Sequence, residues 1–385
     1  MDSDKIIKFC IPTQIGKEID YVIDACNTNK LCGDGFYTKK CEGWFEKKLG
    51  SPKALMTPSC TAALEMAAIL LDIKPGDEVI IPSYTFVSTA NAFILRGASV
   101  KFVDIDKDTM NIDVECIKHA VTSKTKAIVV VHYAGVSCDM DKIMDLARSH
   151  NIFVVEDAAQ AIMSTYKGQP VGSHGVMSTF SFHETKNITS GGEGGMLVIN
   201  DQSFVSRAEI IREKGTNRSL FLNGSVDKYT WVDQGSSFLP SELQAAYLFK
   251  QLENADMITE KRMLIWQWYQ AELLRRNLNK FVRFSMSNST EHNAHIFFIK
   301  TNSLMERGEL IEYMKREGIQ STFHYVPLHS SPYGKEVTEF IGDDINTTAE
   351  SSLLVRLPIW HSMDLKQQKK VVDILEEFYK IKRAN

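Results

Sequence analysis

Lys186 stands where an amine could do covalent chemistry. Residues 179–195 begin with alternating polar and apolar side chains, the pattern of a short half-buried strand. Lys186 follows, just before a turn carrying Gly191, Gly192, Gly194 and Gly195, and Met196-Leu197-Val198-Ile199 resumes a strand. A lysine at such a boundary can be held still and partly desolvated. Loss of water penalises the ammonium form and moves its pKa toward neutrality, the condition for an amine that forms a Schiff base with a carbonyl. A surface lysine on a hairpin has the same spacing, so other groups must converge on Lys186 to decide between the readings.

Three further stretches place such groups at expected strand ends. Pro58-Ser59-Cys60-Thr61-Ala62 joins an apolar run to a helical pattern. Small and hydroxyl residues there leave backbone N–H groups at a positive helix end, a place for a phosphate. A plain helix cap by Ser59 or Thr61 is the simpler reading of the same residues and is compatible with it. Phe86 falls just past a second strand, where an aromatic taken alone reads as core. Val154-Val155-Glu156-Asp157 ends an apolar run on an acid, and a carboxylate there is costly unless it is paired. An acid that caps the next helix is the structural alternative for Asp157.

The elements that must hold these groups alternate along the first half of the chain. Apolar runs at 54–56, 78–81, 100–103, 127–131 and 152–155 are separated by helical patterns at about 61–71, 86–95 and 140–149. Strands without polar alternation, divided by helices, predict an α/β fold with a mostly parallel sheet covered by helices on both faces. Ligands of such sheets sit at the carboxyl ends of the strands. After Pro240 the texture changes. A long helical pattern runs over 241–277, then a strand over 294–299 and helices over 306–317 and 365–381, which reads as a smaller α+β unit. The expected division is a large domain over 1–250 and a small one over 251–385.

Composition narrows the function. The 385 residues are 44% hydrophobic and 24% charged, ordinary for a soluble globular enzyme. A net charge of −4 without a basic block argues against nucleic-acid binding. The N-terminus lacks a signal-peptide pattern, and no apolar run reaches the roughly 18 residues that a membrane span needs. Seven scattered cysteines without a Cys-x-x-Cys pair argue against zinc or a disulfide framework and point to a reducing cytoplasm.

The pattern Ser-Phe-His-x-x-Lys-Asn followed by Gly-Glu-Gly-Gly resembles the lysine motif of the DegT/DnrJ/EryC1 sugar aminotransferases, and the resemblance covers nearly the whole chain. These are fold-type I enzymes that use pyridoxal 5′-phosphate (PLP). The resemblance implies that Lys186 carries PLP covalently and that Asp157 faces a protonated pyridine nitrogen, keeping the ring an electron sink. It implies that Phe86 stacks on the ring, that Gln160 hydrogen-bonds its hydroxyl, and that Cys60, Thr61 and Ser181 hold the phosphate. It also implies a homodimer with sites at the subunit interface. One departure stands out. Where many members carry Gly-Tyr-Asn-Tyr-Arg-Met, with the Asn reaching a neighbour's phosphate, this chain has 235–240 as Gly-Ser-Ser-Phe-Leu-Pro, so Ser237 replaces Asn and Leu239 replaces Arg.

Residues 30–35, 84–92, 132–136, 212–218 and 323–329 resemble the C4-aminating, dTDP-sugar branch of that family. This implies transfer of the amino group of L-glutamate to C4 of dTDP-4-keto-6-deoxy-D-glucose. The products would be 2-oxoglutarate and dTDP-4-amino-4,6-dideoxy-D-galactose, for surface polysaccharides such as enterobacterial common antigen and O-antigen. The alternatives are a viosamine-forming or C3-aminating transaminase and a PLP-dependent sugar dehydratase; the last carries His where this chain has Lys186. Tyr325 and His329, with His324, read either as substrate contacts or as core.

Overall fold

The computed structural model describes residues 6–222, 224–284 and 291–384. Their largest element is an eight-stranded sheet. Its strands are β1 (Lys53–Thr57), β2 (Glu78–Pro82), β3 (Ser99–Val103), β4 (Thr125–Val131), β5 (Phe153–Asp157), β6 (Met177–Ser181), β7 (Gly195–Ile199) and, from the C-terminal part, β10 (Thr338–Phe340). A three-stranded antiparallel sheet holds β8 (Arg283–Phe284), β9 (Phe297–Lys300) and β11 (Leu354–Leu357). The large sheet runs β1-β7-β6-β5-β4-β2-β3-β10, and β7 alone lies antiparallel to its neighbours. The carboxyl ends of β1, β2, β4, β5 and β6 therefore share one edge.

Why these runs form a doubly covered sheet follows from their side chains. Successive residues of a strand point to opposite faces, so a run apolar at every position must be buried on both. Val79 and Ile81 of β2 pack into the cluster under helix α2 (Cys60–Leu70) with Leu64 and Ala67, while Ile80 between them packs with Ile143 and Ala147 of helix α4 (Met140–His150) on the other face. Helix α3 (Val87–Ile94) contributes Phe93 to the first layer. The expected α/β fold, with its mostly parallel helix-covered sheet, is the one found.

Two expectations are corrected in the second half. The helical pattern over 241–277 is two helices, α5 (Glu242–Leu252) and α6 (Ala255–Arg275). At the break the Asn254 side chain donates to the Lys250 carbonyl at 2.9 Å. The physical reason is that the two helices serve different cores. Ala245, Leu248 and Leu252 pack with Phe45 and Phe180 beside the large sheet, whereas Ile265, Trp266, Tyr269 and Leu273 pack on the small one. The expected strand over 294–299 begins only at Phe297, because Ala294 takes a positive φ of 52° and the Asn293 amide is drawn to the carbonyls of Gln160 and Ile162, each at 2.8 Å. Ile7 packs in the C-terminal cluster and β10 joins the large sheet, so the chain crosses the expected division near 250 at both ends.

Helix α1 (Phe36–Leu49) shows how a distant residue starts a helix. Its N-cap, Gly35, offers no side chain, and the orphan donors of the first turn go instead to Glu242 of α5. The buried Glu242 carboxylate accepts from the backbone N–H groups of Gly35 at 3.0 Å, Tyr37 at 2.8 Å and Thr38 at 3.1 Å, and from the Thr38 hydroxyl. Gly35 is required by this approach, since a Cβ there would sit 2.5 Å from the Glu242 carboxyl carbon. Glu242→Ala should therefore lower the unfolding free energy by about 3–5 kcal/mol, because each orphaned buried donor costs about 1–3 kcal/mol. A fall in urea midpoint at unchanged slope checks this, and Glu242→Gln, which keeps one acceptor oxygen, should lose less.

Candidate active site

Asp157 ends β5 at the shared edge and is 5% exposed. One of its oxygens accepts from the Thr89 hydroxyl at 2.8 Å and the other from the Ala159 N–H at 3.1 Å. Thr89 lies on α3, and its hydroxyl also meets that of Thr85 at 2.8 Å. Burial pushes the Asp157 carboxyl above its usual range, while the Thr89 hydrogen bond and the charge of Lys186 oppose the shift. Two neutral donors leave a buried carboxylate short of compensation, so a cationic partner placed against it would be strongly stabilised.

Lys186 lies in the connection between β6 and β7, whose ends pair at Ser181 and Gly195. Its N–H donates to the His183 carbonyl at 2.9 Å. Although the side chain keeps some solvent contact, the mass of protein around it lowers its ammonium pKa; Cys60 and Asp157 oppose that shift and Arg356 reinforces it. The structure thus brings Lys186, Asp157 and Cys60 into one electrostatic cluster, with the Cys60 thiol pushed up by burial.

Cys60 and Thr61 open helix α2, whose N-cap is Ser59, accepting from the Ala62 N–H at 3.1 Å. The cap reading therefore holds, and it leaves the Cys60 and Thr61 N–H groups at the positive helix end. The Thr61 hydroxyl meets that of Ser88 at 2.7 Å, and the Thr179 hydroxyl nearby is buried without a partner. Gly195 passes directly under this helix start, where a Cβ would lie 2.5 Å from the Cys60 nitrogen. Ser181, at the end of β6, is buried, and its hydroxyl accepts from the His183 N–H at 3.4 Å.

Phe86, which reads as core when taken alone and which the resemblance places on the cofactor ring, is 57% exposed, its ring 6.3 Å from that of Tyr325. An apolar face left open beside polar groups suits a flat ligand. Gln160 accepts from the Ala134 N–H at 2.7 Å and donates to the Tyr325 hydroxyl at 3.1 Å, which ties the C-terminal residue Tyr325 to the sheet edge. Tyr325 stacks on His324 with centroids 4.0 Å apart.

Two candidates are not brought into the cluster. The His329 ring is engaged by the chain itself: Nδ1 meets the Ser83 hydroxyl at 2.7 Å and Nε2 the Asp344 carboxylate at 3.2 Å, so it fastens the 328–330 turn to the end of β2. Ser237 is exposed and bridges Glu213 through its backbone, and no hydrogen bond among the described residues joins it to Lys186. Two groups escaped the residue patterns. The His132 imidazole receives the Cys138 N–H on Nδ1 at 3.1 Å, so Nε2 carries the proton toward Glu156 at 3.0 Å. Arg356 lies in β11 beside His324, and its only sequence signal is a charge inside the apolar run Leu353-Leu354-Val355-Arg356-Leu357.

These groups fit PLP: an amine for its aldehyde, a buried carboxylate short of a cation for its pyridine nitrogen, an open aromatic face, and a glycine-backed helix start with a spare hydroxyl for its phosphate. The comparisons agree. Residues 12–376 match the DegT/DnrJ/EryC1/StrS aminotransferase family. A GDP-perosamine synthase of Escherichia coli O157:H7 is 33% identical over 97% of this chain and 99% of its own, and the spore coat polysaccharide biosynthesis protein SpsC of Bacillus subtilis is 33% identical over 95% of each. The PLP form of Spr1654 from Streptococcus pneumoniae superposes with a TM-score of 0.86 at 25% identity, covering 97% of this chain and 99% of that one. With the match spanning nearly every element that builds the site, the chain belongs to the DegT/DnrJ/EryC1/StrS aminotransferase family and is a PLP-dependent sugar aminotransferase.

Proposed function

We propose that Lys186 bears the cofactor and that Asp157 holds its ring nitrogen protonated. The observation that carries this reading is the convergence of one desolvated amine, from the β6–β7 connection, and one buried carboxylate, from the end of β5, at the edge where the parallel strands end. PLP, when bound, supplies an electron sink for the carbanion formed at the reacting carbon. Once the donor's amine has displaced it from the cofactor, Lys186 Nζ would take the proton from the donor's Cα and pass it to the cofactor's carbon. The return half-reaction would run the same shuttle in reverse, with Nζ delivering a proton to the sugar carbon that receives nitrogen. Burial lowers its ammonium pKa, which favours the free amine that a base requires. The positive end of α2, with Thr61 and Ser181, seats a phosphate, and Phe86 covers one face of the ring.

The substrates we propose are L-glutamate and dTDP-4-keto-6-deoxy-D-glucose, with the amino group arriving at C4. Residues 30–35 and 212–218 support a shared sugar site, because the Arg212 guanidinium pairs with Asp34 at 3.3 Å and with Glu42, binding the two stretches together. A GDP-linked 4-keto sugar is the second reading, favoured by the relative named for GDP-perosamine. The enzyme is proposed to work as a cytoplasmic homodimer. Trp231 is 79% exposed and stands with exposed Tyr229 and Val232 beside Gln234, which Arg96 holds at 2.9 Å next to exposed Leu95; a second copy would cover this apolar face.

Borohydride reduction of the yellow protein should fix a pyridoxyl group on the one peptide that contains Lys186, and Lys186→Ala should have no turnover; label elsewhere would overturn the assignment. Asp157→Asn should keep PLP but lose several orders of magnitude in kcat. Thr89→Val removes a donor that favours the charged carboxylate. The Asp157 pKa should then rise, and the acid limb of kcat/KM should move up by about one pH unit, the equivalent of a hydrogen bond worth about 1.4 kcal/mol. Offered dTDP-, UDP- and GDP-linked 4-keto sugars with glutamate, the protein should show the highest kcat/KM with the dTDP sugar. A higher value with the GDP sugar would select the second reading.

A further inference from the structure

Asn187, the residue after Lys186, is buried and tied to both the N-terminal and the C-terminal parts of the chain. Its side-chain N–H donates to the Asn293 carbonyl at 2.9 Å, and its own backbone carbonyl accepts from the Thr13 hydroxyl at 2.8 Å. A carbonyl can only accept, so the Asn293 contact fixes the amide and turns its oxygen to His295, where Oδ1 lies 2.9 Å from Nδ1. The ring is buried, and that burial, with the charges of Lys186, Arg262 and Arg356, pushes its pKa down and keeps it neutral. Oδ1 also can only accept. Nδ1 of His295 therefore carries the single proton, and no hydrogen bond among the described residues uses Nε2. His295 is seated in turn by its backbone, whose N–H donates to Asn293 Oδ1 at 3.1 Å. On the other side of Asn187, the Thr189 N–H donates to Gln251 Oε1 at 2.9 Å, and Gln251 reaches the Thr13 carbonyl at 2.6 Å.

We infer that His295 is a positioning residue for Lys186: its Nδ1–H, acting through Asn187, fixes where the amine stands. This rests on the assignment of the cofactor to Lys186 and goes beyond it by naming what aims that amine. Residues 184–188 lie outside the strand ladder of β6 and β7, so the backbone pairing of the sheet does not place them. Hydrogen bonds from distant side chains do so instead, and the one from His295 is made by the C-terminal part that closes the site. A neutral donor suits the place. A cationic side chain there would add charge beside an ammonium already disfavoured by burial, whereas the imidazole supplies one directed N–H and no charge. Precision matters because a reacting group misplaced by about 1 Å costs about 100-fold in rate.

The test begins on the full-length, cofactor-free protein and needs no turnover. Nitrogen chemical shifts of the His295 ring, assigned by their loss in His295→Asn, should show Nδ1 protonated and Nε2 bare at neutral pH, and Asn187→Ala should abolish that preference. The opposite tautomer or a charged ring would overturn the inference. In the PLP-loaded protein, His295→Leu and Asn187→Ala should each lower kcat by about 10–100-fold and leave KM for glutamate within about threefold. The double variant should match the worse single variant within about twofold, because both changes break one contact; losses that multiply would overturn the coupling. His295→Asn, which puts an N–H near the place of Nδ1, should recover most of the rate, and failure to do so would reduce His295 to a space-filling role. Unchanged circular dichroism and PLP content show that the variants are folded. If borohydride labels a peptide without Lys186, the cofactor assignment falls and the positioning role falls with it. Correct labelling with wild-type kcat in His295→Leu overturns the positioning role alone.

Discussion

A carboxylate buried at the end of a parallel strand is the constraint on which the rest of this structure depends. Asp157 is removed from water and receives only two neutral hydrogen bonds, from Thr89 and Ala159. Such a group is tolerated when a positive charge is brought to it, and here the nearby amine is itself disfavoured as a cation by the protein around it. The two penalties are complementary. Each group is poorly compensated by the chain alone, and a ligand offering both a carbonyl and a protonatable ring nitrogen relieves both. The parallel register sets this arrangement, because Val131↔Asp157 and Asp157↔Thr179 align the ends of β4, β5 and β6 at one edge.

Beside that edge the sheet abandons its parallel order. β7 is inserted antiparallel between β1 and β6, and it brings Gly195 beneath the start of α2. The glycine is a packing requirement, since any side chain would strike Ser59 and Cys60. The consequence is chemical: the connection that carries Lys186 and the helix end that presents free N–H groups are held against each other. The Glu156 carboxylate stiffens the same layer from behind. It accepts from the N–H groups of Gly172, His174 and Gly175 at 2.7–2.8 Å and from His132, and these donors hold it well below the usual carboxylate range despite its burial.

The C-terminal part closes the site from the other side. Tyr325 reaches Gln160, the Tyr84 hydroxyl donates to the His324 carbonyl at 2.6 Å, and Asn293 binds the carbonyls of Gln160 and Ile162. Hydrogen bonds thus join the two sheets at the substrate edge, with the aromatic rings of Tyr84, Tyr133 and Tyr325 packed between them. Helix α6 spans the same junction, with Arg262 on the carbonyls of 294 and 295 and Trp266 donating to that of Ile296 at 3.1 Å.

Residue order by itself determined the α/β architecture and the helix and strand series of the first half, and it singled out Lys186, Asp157 and the helix start at Cys60 as candidates, while Phe86 taken alone reads as core. These are written in local patterns: apolar runs, small residues at a helix start, an acid closing a strand, glycines behind a lysine. Tertiary structure decided the rest. The pattern over 241–277 is helical throughout, and only the presence of two separate cores to cover explains its break at Asn254. The role of His329 depended on Ser83 and Asp344, far away in sequence, claiming both ring nitrogens. Arg356 reads as an odd charge in an apolar strand until folding removes it from water and gives it no anion. Local order carries propensity and periodicity, whereas compensation of charge is a property of neighbours that only the folded chain assembles.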